Sequence, residues 1–121
     1  MDIKKVTVIG SGLMGNQIAM QTAIHGYEVV CYDINPEMVS KAEAFSDSWF
    51  IKRIEKNKMT AEAAAEIQGR LRFTSDLQAA GENADLVIEA VSDIVAIKKA
   101  ALSSIDKITP EHTIYASNSS Y

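Results

Sequence analysis

Val6-Thr7-Val8-Ile9-Gly10-Ser11-Gly12-Leu13-Met14-Gly15 is the stretch that decides the fold. Val6 to Ile9 is a short β-branched apolar run, the pattern of a strand buried in a parallel sheet. Gly10 to Gly15 then spells G-x-G-x-x-G directly after that run. From Leu13 to His25 the residues Met14, Ile18 and Thr22 recur at helical spacing, with Ala19 and Ala23 beside them. Gly26 supplies the left-handed stop that such a helix needs. Glu28 to Asp33 is a second strand-like run. Met1 to about Asp33 therefore reads as one βαβ unit.

The glycines have distinct jobs in that unit. Gly10 permits the tight turn out of the strand, Gly12 presents no Cβ to an approaching ligand, and Gly15 lets helix and strand pack closely. The N–H groups of the helix's first turn, from Leu13 and Met14 onward, carry the positive end of the helix dipole toward an anion. Asp33 closes the second strand 18 positions after Gly15, near the spacing of the acid that accepts hydrogen bonds from an adenosine ribose. Its charge would repel a 2′-phosphate, and Ile34-Asn35-Pro36 offers no arginine to receive one. The expectation is a Rossmann domain holding NAD at Gly10, Ser11, Gly12, Leu13, Met14, Gly15 and Asp33.

Composition narrows the rest. The 121 residues suit one domain, 47% are apolar and 23% charged, and the formal net charge is -4. That balance argues against a nucleic-acid binder, whose phosphate contacts need a basic surface. Any anion is held locally. The single cysteine, Cys31, lies in an apolar run and is expected as a small buried hydrophobe. Neither histidine, His25 or His112, falls into an acid–base or metal-binding pattern, and both are expected to be structural. No segment approaches the ~18 apolar residues of a membrane span. Met1 to Lys5 leads straight into the expected strand, so no leader is expected. The expected compartment is the cytoplasm.

Downstream, Asn35-Pro36-Glu37 opens a long helix with an N-cap, a first-position proline and a first-turn acid. Met38, Ala42, Phe45, Trp49, Phe50 and Ile54 are its expected apolar stripe. Thr60 caps a second helix to about Gln68, so a helical hairpin stands after the second strand. Leu71–Thr74 reads as a weak strand, Ser75–Ala80 as a short helix and Asp85–Val91 as a buried strand. Ile94–Ile108 is an expected helix and Thr113–Ser117 an expected strand. Such alternation gives a parallel sheet with helices on both faces.

Three later features carry a resemblance. They are Asp85-Leu86-Val87-Ile88-Glu89-Ala90-Val91 with Lys98 after it, Ala116-Ser117-Asn118-Ser119-Ser120, and the long helix ending in Lys52, Arg53, Lys56 and Lys58. Together with Gly-Ser-Gly-Leu-Met-Gly, they resemble the amino-terminal domain of the 3-hydroxyacyl-CoA dehydrogenases over essentially the whole chain. That family includes the 3-hydroxybutyryl-CoA dehydrogenases. The resemblance implies interconversion of 3-hydroxyacyl-CoA and 3-ketoacyl-CoA with NAD, in fatty-acid metabolism and β-oxidation. It implies cofactor contacts from Asp93 and Lys98, although this chain has Asp93-Ile94 where the family commonly has Glu-Asn. It also sets Ser120, supported by Asn118, against the substrate's 3-oxygen, and assigns Lys56 to coenzyme A. The family's serine for coenzyme A has only Trp49 or Ser48 near its place.

Each of these has a plainer reading. Lys98 and Lys56 fit solvated helix faces, and Asn118–Ser120 fits a polar loop or cap. The family's general-base histidine, its later strands and its helical domain have no counterpart in these residues. The expectation is thus an NAD-binding domain over residues 1–121, incomplete at its carboxyl end and inactive alone, from a protein that is a homo-oligomer when whole. Two other readings remain at this point: the NAD domain of a β-hydroxyacid dehydrogenase, and a non-catalytic NAD-sensing domain.

Overall fold

The computed structural model describes residues 3–10, 12–90, 105 and 107–117. The chain runs β1 (Lys5–Ile9), α1 (Leu13–Ile24), β2 (Glu28–Tyr32), α2 (Pro36–Glu55), α3 (Ala61–Gly69), β3 (Leu71–Thr74), α4 (Leu77–Gly81), β4 (Leu86–Glu89) and β5 (Ile114–Ser117). All five strands are parallel in one sheet ordered β3-β2-β1-β4-β5. The chain fills one side of β1 with β2 and β3, then crosses over to lay β4 and β5 on the other. That reversal leaves a crevice at the carboxyl ends of β1 and β4, where open α/β sheets take their ligands.

Two apolar layers hold the sheet. Val6, Val8, Val29, Cys31 and Leu71 face Ala19, Met20 and Ala23 of α1, Phe50 of α2, and Ala64 and Ile67 of α3. On the opposite face Ile9 and Val87 pack with Ala84 and Ile105, flanked by Tyr32, Leu77 and Ile108. Central β1 is buried along almost its whole length whereas edge strand β3 is buried only at Leu71. This explains why Leu71–Thr74 carries so weak a sequence signal. Phe50, buried at the meeting of α2, α3 and the sheet, is worth about 3–5 kcal/mol against truncation to alanine.

Helix ends follow the sequence closely. The Asn35 side chain accepts the Glu37 N–H at 2.9 Å, with Pro36 in the first turn. Thr60 Oγ1 accepts the Ala63 N–H at 3.1 Å. Gly26, at φ 99°, ends α1. At the end of α2, Asn57 takes the left-handed conformation at φ 57°. There the Lys58 N–H donates to the Arg53 carbonyl and the Asn57 N–H to that of Ile54, a Schellman stop.

One detail of the helical hairpin differs from the expected stripe. The buried line of α2 is Ala42, Ser46 and Phe50, while Phe45 is 43% exposed. Small side chains on that line let α2 come close enough for Asn16 Nδ2 of α1 to donate to the Ala42 carbonyl at 3.0 Å. A phenyl ring there would hold the helices apart. The expected Ile94–Ile108 helix falls almost wholly outside the described residues. Of it, Ile105 is helical and fully buried.

Candidate cofactor site

β1 ends at Ile9 and the chain turns at Gly10, whose φ of 104° only glycine adopts without strain. The Gly10 N–H donates to the Tyr32 carbonyl at 2.7 Å. That single bond ties the glycine turn to the end of β2, immediately before Asp33. The Gly10 carbonyl also accepts from the Cys31 thiol at 3.8 Å. Burial, reinforced by the nearby Asp33 carboxylate, pushes that thiol up to about 12, so Cys31 is a packing residue, as the sequence indicates.

Gly15 is demanded by packing. A Cβ there would sit 1.7 Å from the Gly10 carbonyl oxygen, a backbone atom that cannot swing aside. Gly12 is different. Its backbone, φ -62° and ψ -177°, suits any residue, and among the described residues a Cβ would meet nothing within 4 Å. Packing among the described residues gives no reason for glycine at this position, whereas a pyrophosphate drawn against the backbone would.

The helix that follows supports this reading. α2, α3 and α4 receive side-chain caps from Asn35, Thr60 and Asp76, but α1 starts on Gly12 with no side-chain cap and no acid in its first turn. Capping residues are worth ~1 kcal/mol, so an uncapped start needs another source of acceptors. An anionic ligand is one. Leu13 and Met14 are 66% and 55% exposed beside this start.

Asp33 stands one step past β2. Its Oδ1 accepts the Asn35 N–H at 2.9 Å, and its own N–H donates to the Thr74 carbonyl at 3.2 Å. The carboxylate is thus set at the carboxyl edge, beside the turn. Gly10, Gly12, Leu13, Met14, Gly15 and Asp33 share one neighbourhood. Lys56 does not join it: it is the exposed C-cap of α2, a helix that runs about 30 Å from Pro36. Beside it, Arg53 lies over the Trp49 ring at 5.1 Å. Ser11, Asp93, Lys98, Asn118 and Ser120 lie outside the described residues. β5, which leads into Asn118, ends beside the end of β4.

Two residues of this region escaped the sequence reading as site candidates. Glu89 is 1% exposed and pairs across β1 with Ile9 at the carboxyl end. Its signal was a charge inside an otherwise apolar strand. Asn16, in the first turns of α1, is 3% exposed, and its Oδ1 has no hydrogen-bond partner among the described residues. A polar residue straight after Gly15 was the only hint. The two histidines lie elsewhere. His112 Nε2 is 2.8 Å from Asp85 Oδ1, before the amino end of β4, and His25 Nδ1 is 2.8 Å from the Gln21 carbonyl at the end of α1.

Residues 5–121 match the model of the NAD-binding domain of 3-hydroxyacyl-CoA dehydrogenases. The chain belongs to that family. Its cofactor is accordingly NAD. A 3-hydroxyadipyl-CoA dehydrogenase of Escherichia coli (strain K12) is 36% identical over 119 residues, covering 98% of this NAD-binding domain and 25% of that protein. The structure of a (S)-3-hydroxybutyryl-CoA dehydrogenase from Ralstonia eutropha superposes with a TM-score of 0.90 at 34% identity, covering 98% of this chain and 42% of that one. A diketoreductase structure gives a TM-score of 0.86 at 36% identity, covering 99% and 43% respectively. The NAD-binding domain thus spans between a quarter and about two-fifths of these relatives. Of the readings the sequence left open, these matches favour the 3-hydroxyacyl-CoA dehydrogenases.

Proposed function

We propose that this chain is the NAD-holding part of an oxidoreductase that interconverts 3-hydroxyacyl-CoA and 3-ketoacyl-CoA. The observation that carries the reading is the join of Gly10 to Tyr32, which sets an uncapped helix start and a strand-end carboxylate side by side at the β1–β4 crevice. When bound, NAD supplies a hydride acceptor for C3 of the acyl chain. In this proposal Gly12 admits the pyrophosphate and the N–H groups that open α1 bind it. Asp33 accepts from the ribose hydroxyls, and Ser11, Asp93 and Lys98 complete the cofactor's surroundings.

Ser120, supported by Asn118, would hold the substrate's 3-oxygen just beyond β5. The hydroxyl proton needs a base, and neither histidine described here can be it, since His112 and His25 both stand toward the amino end of the sheet. The base is therefore assigned to the remainder of a longer protein, together with the acyl pocket and the homo-oligomer contacts. Coenzyme A's phosphates are assigned to Lys56 and its basic neighbours. A buried, unpaired cysteine and the NAD chemistry fit a cytoplasmic protein.

The test uses this chain with NADH and acetoacetyl-CoA. The reading expects NADH to bind, seen as a change in its fluorescence, with no acyl-CoA-dependent loss of absorbance at the nicotinamide band. Turnover by these 121 residues, abolished by Ser120→Ala, would overturn the assignment of the base. Absence of NADH binding would overturn the whole reading.

A further inference from the structure

We infer that Asp76 acts with Asp33 to select a dinucleotide whose adenosine ribose carries no 2′-phosphate. The inference rests on the NAD reading above and deepens it. β2 and β3 are parallel neighbours with Tyr32 opposite Thr74, so the residues after each strand emerge side by side, about 4.8 Å apart at the strand ends. Both acids engage the same residue. The Asp33 N–H donates to the Thr74 carbonyl at 3.2 Å, and the Asp76 N–H donates to Thr74 Oγ1 at 3.0 Å. Thr74 is thus the joint that holds the backbones of both acids at one edge of the sheet.

The Asp76 side chain is also oriented. Its Oδ1 accepts the N–H groups of Gln78 and Ala79 at 3.1 and 3.4 Å, capping α4. Capping alone does not call for a charge, because asparagine and serine cap about as well as aspartate. The field of the pair is visible on a neighbour: burial first, then the Asp33 and Asp76 carboxylates, raise the Tyr32 phenol above its usual range. The nearest cation along β3, Arg72, lines a groove with Lys5, Glu28 and Arg70 toward the amino end of the sheet, so it does not offset the pair. A 2′-phosphate, carrying nearly two negative charges, would enter against two carboxylates rather than one.

Coulomb's law sets the size. A dianion some 8 Å from an exposed carboxylate in a water-like dielectric loses about two- to fivefold in affinity, less as salt screens it. The experiment titrates NADH and NADPH onto this chain, its Asp76→Asn variant and its Asp33→Asn variant, at low and at 0.5 M ionic strength. A two- to fivefold rise in the NADPH-to-NADH affinity ratio for Asp76→Asn at low salt, shrinking at high salt, supports the inference. Asp76→Ser, which also caps without a charge, must give the same shift. An unchanged ratio in both Asp76 variants, with NADH still bound by the parent chain, overturns the inference and leaves the NAD reading intact. Failure of the parent chain to bind NADH overturns both.

Discussion

The two ends of this sheet are built on opposite plans from similar materials. At the amino end, one carboxylate draws three strands together. Asp85 Oδ2 accepts the N–H groups of Lys4 and Lys5 at 2.9 and 3.0 Å, and its Oδ1 pairs with His112 at 2.8 Å. Those backbone donors, then the His112 bond, hold its carboxyl down at about 2. Thr113 Oγ1 adds a bond to the Ala84 carbonyl at 2.7 Å. The donors there are spent on the protein itself. At the carboxyl end, among the described residues, the chain leaves α1 without a side-chain cap, gives Gly12 open space and exposes Leu13, Met14 and Ile34. One end stabilises the sheet, while the other is the one the proposed function gives to a ligand. An acid near a strand end is therefore informative only with its partners: Asp85 and Asp33 look alike in sequence, but Asp85 binds backbone N–H groups of a neighbouring strand whereas Asp33 accepts from the turn that follows it in the chain.

Substitutions at the two ends should separate along this line. The largest effect belongs to Gly15→Ala, whose new methyl meets the Gly10 carbonyl. We expect a loss of about 3 kcal/mol or more in chemical denaturation, together with loss of NADH binding. An alanine tolerated there with full stability would break the account of the turn. Asp33→Asn comes next. It keeps a side-chain acceptor for the Asn35 N–H but loses the charge, so NADH affinity should fall about tenfold, as for a charge-assisted hydrogen bond. The melting temperature should barely move.

Asp85→Asn is the mirror case. It should cost about 1 kcal/mol, since the carboxylate is near the surface and its bonds are discounted accordingly, and NADH affinity should stay unchanged. The pH dependence sharpens it. Because the folded-state pKa is depressed to about 2 from an ordinary 3.8, the Asp85 contribution is complete above pH ~4 and is lost as pH falls through 2. The melting-temperature gap between parent and variant should therefore close over that window. A gap independent of pH would remove the carboxylate from the explanation.

Local signals carried much of the fold. The β1–α1–β2 unit, the Asn35 and Thr60 caps and the strand–helix alternation were all legible, because each depends on neighbours within a few residues, whereas the order β3-β2-β1-β4-β5 came from the structure. The identity of the sheet's buried helix line was not. A 3.6-residue period admits Phe45 as readily as Ser46, and only the close approach of α2 to Asn16 selects the smaller residue. The Asp85 clamp was equally hidden, since its donors lie about 80 positions earlier in the chain. In the site, Gly15 could be assigned its job from the motif alone. The motif likewise set Gly12 apart as the ligand's glycine, and the structure sharpens the contrast, since a Cβ at Gly15 meets the Gly10 carbonyl and one at Gly12 meets no described atom within 4 Å.

That difference gives the most direct test. Gly12→Ala adds a methyl where no described atom lies within 4 Å and where the backbone suits alanine, so the fold should lose only about 0.5–1 kcal/mol through the poorer helix start. The same methyl stands in the path of a pyrophosphate. NADH titration of parent and variant, with their melting temperatures measured side by side, should show at least a tenfold weaker affinity at nearly equal stability. Equal NADH affinity in the two proteins would contradict binding of the dinucleotide at the glycine turn.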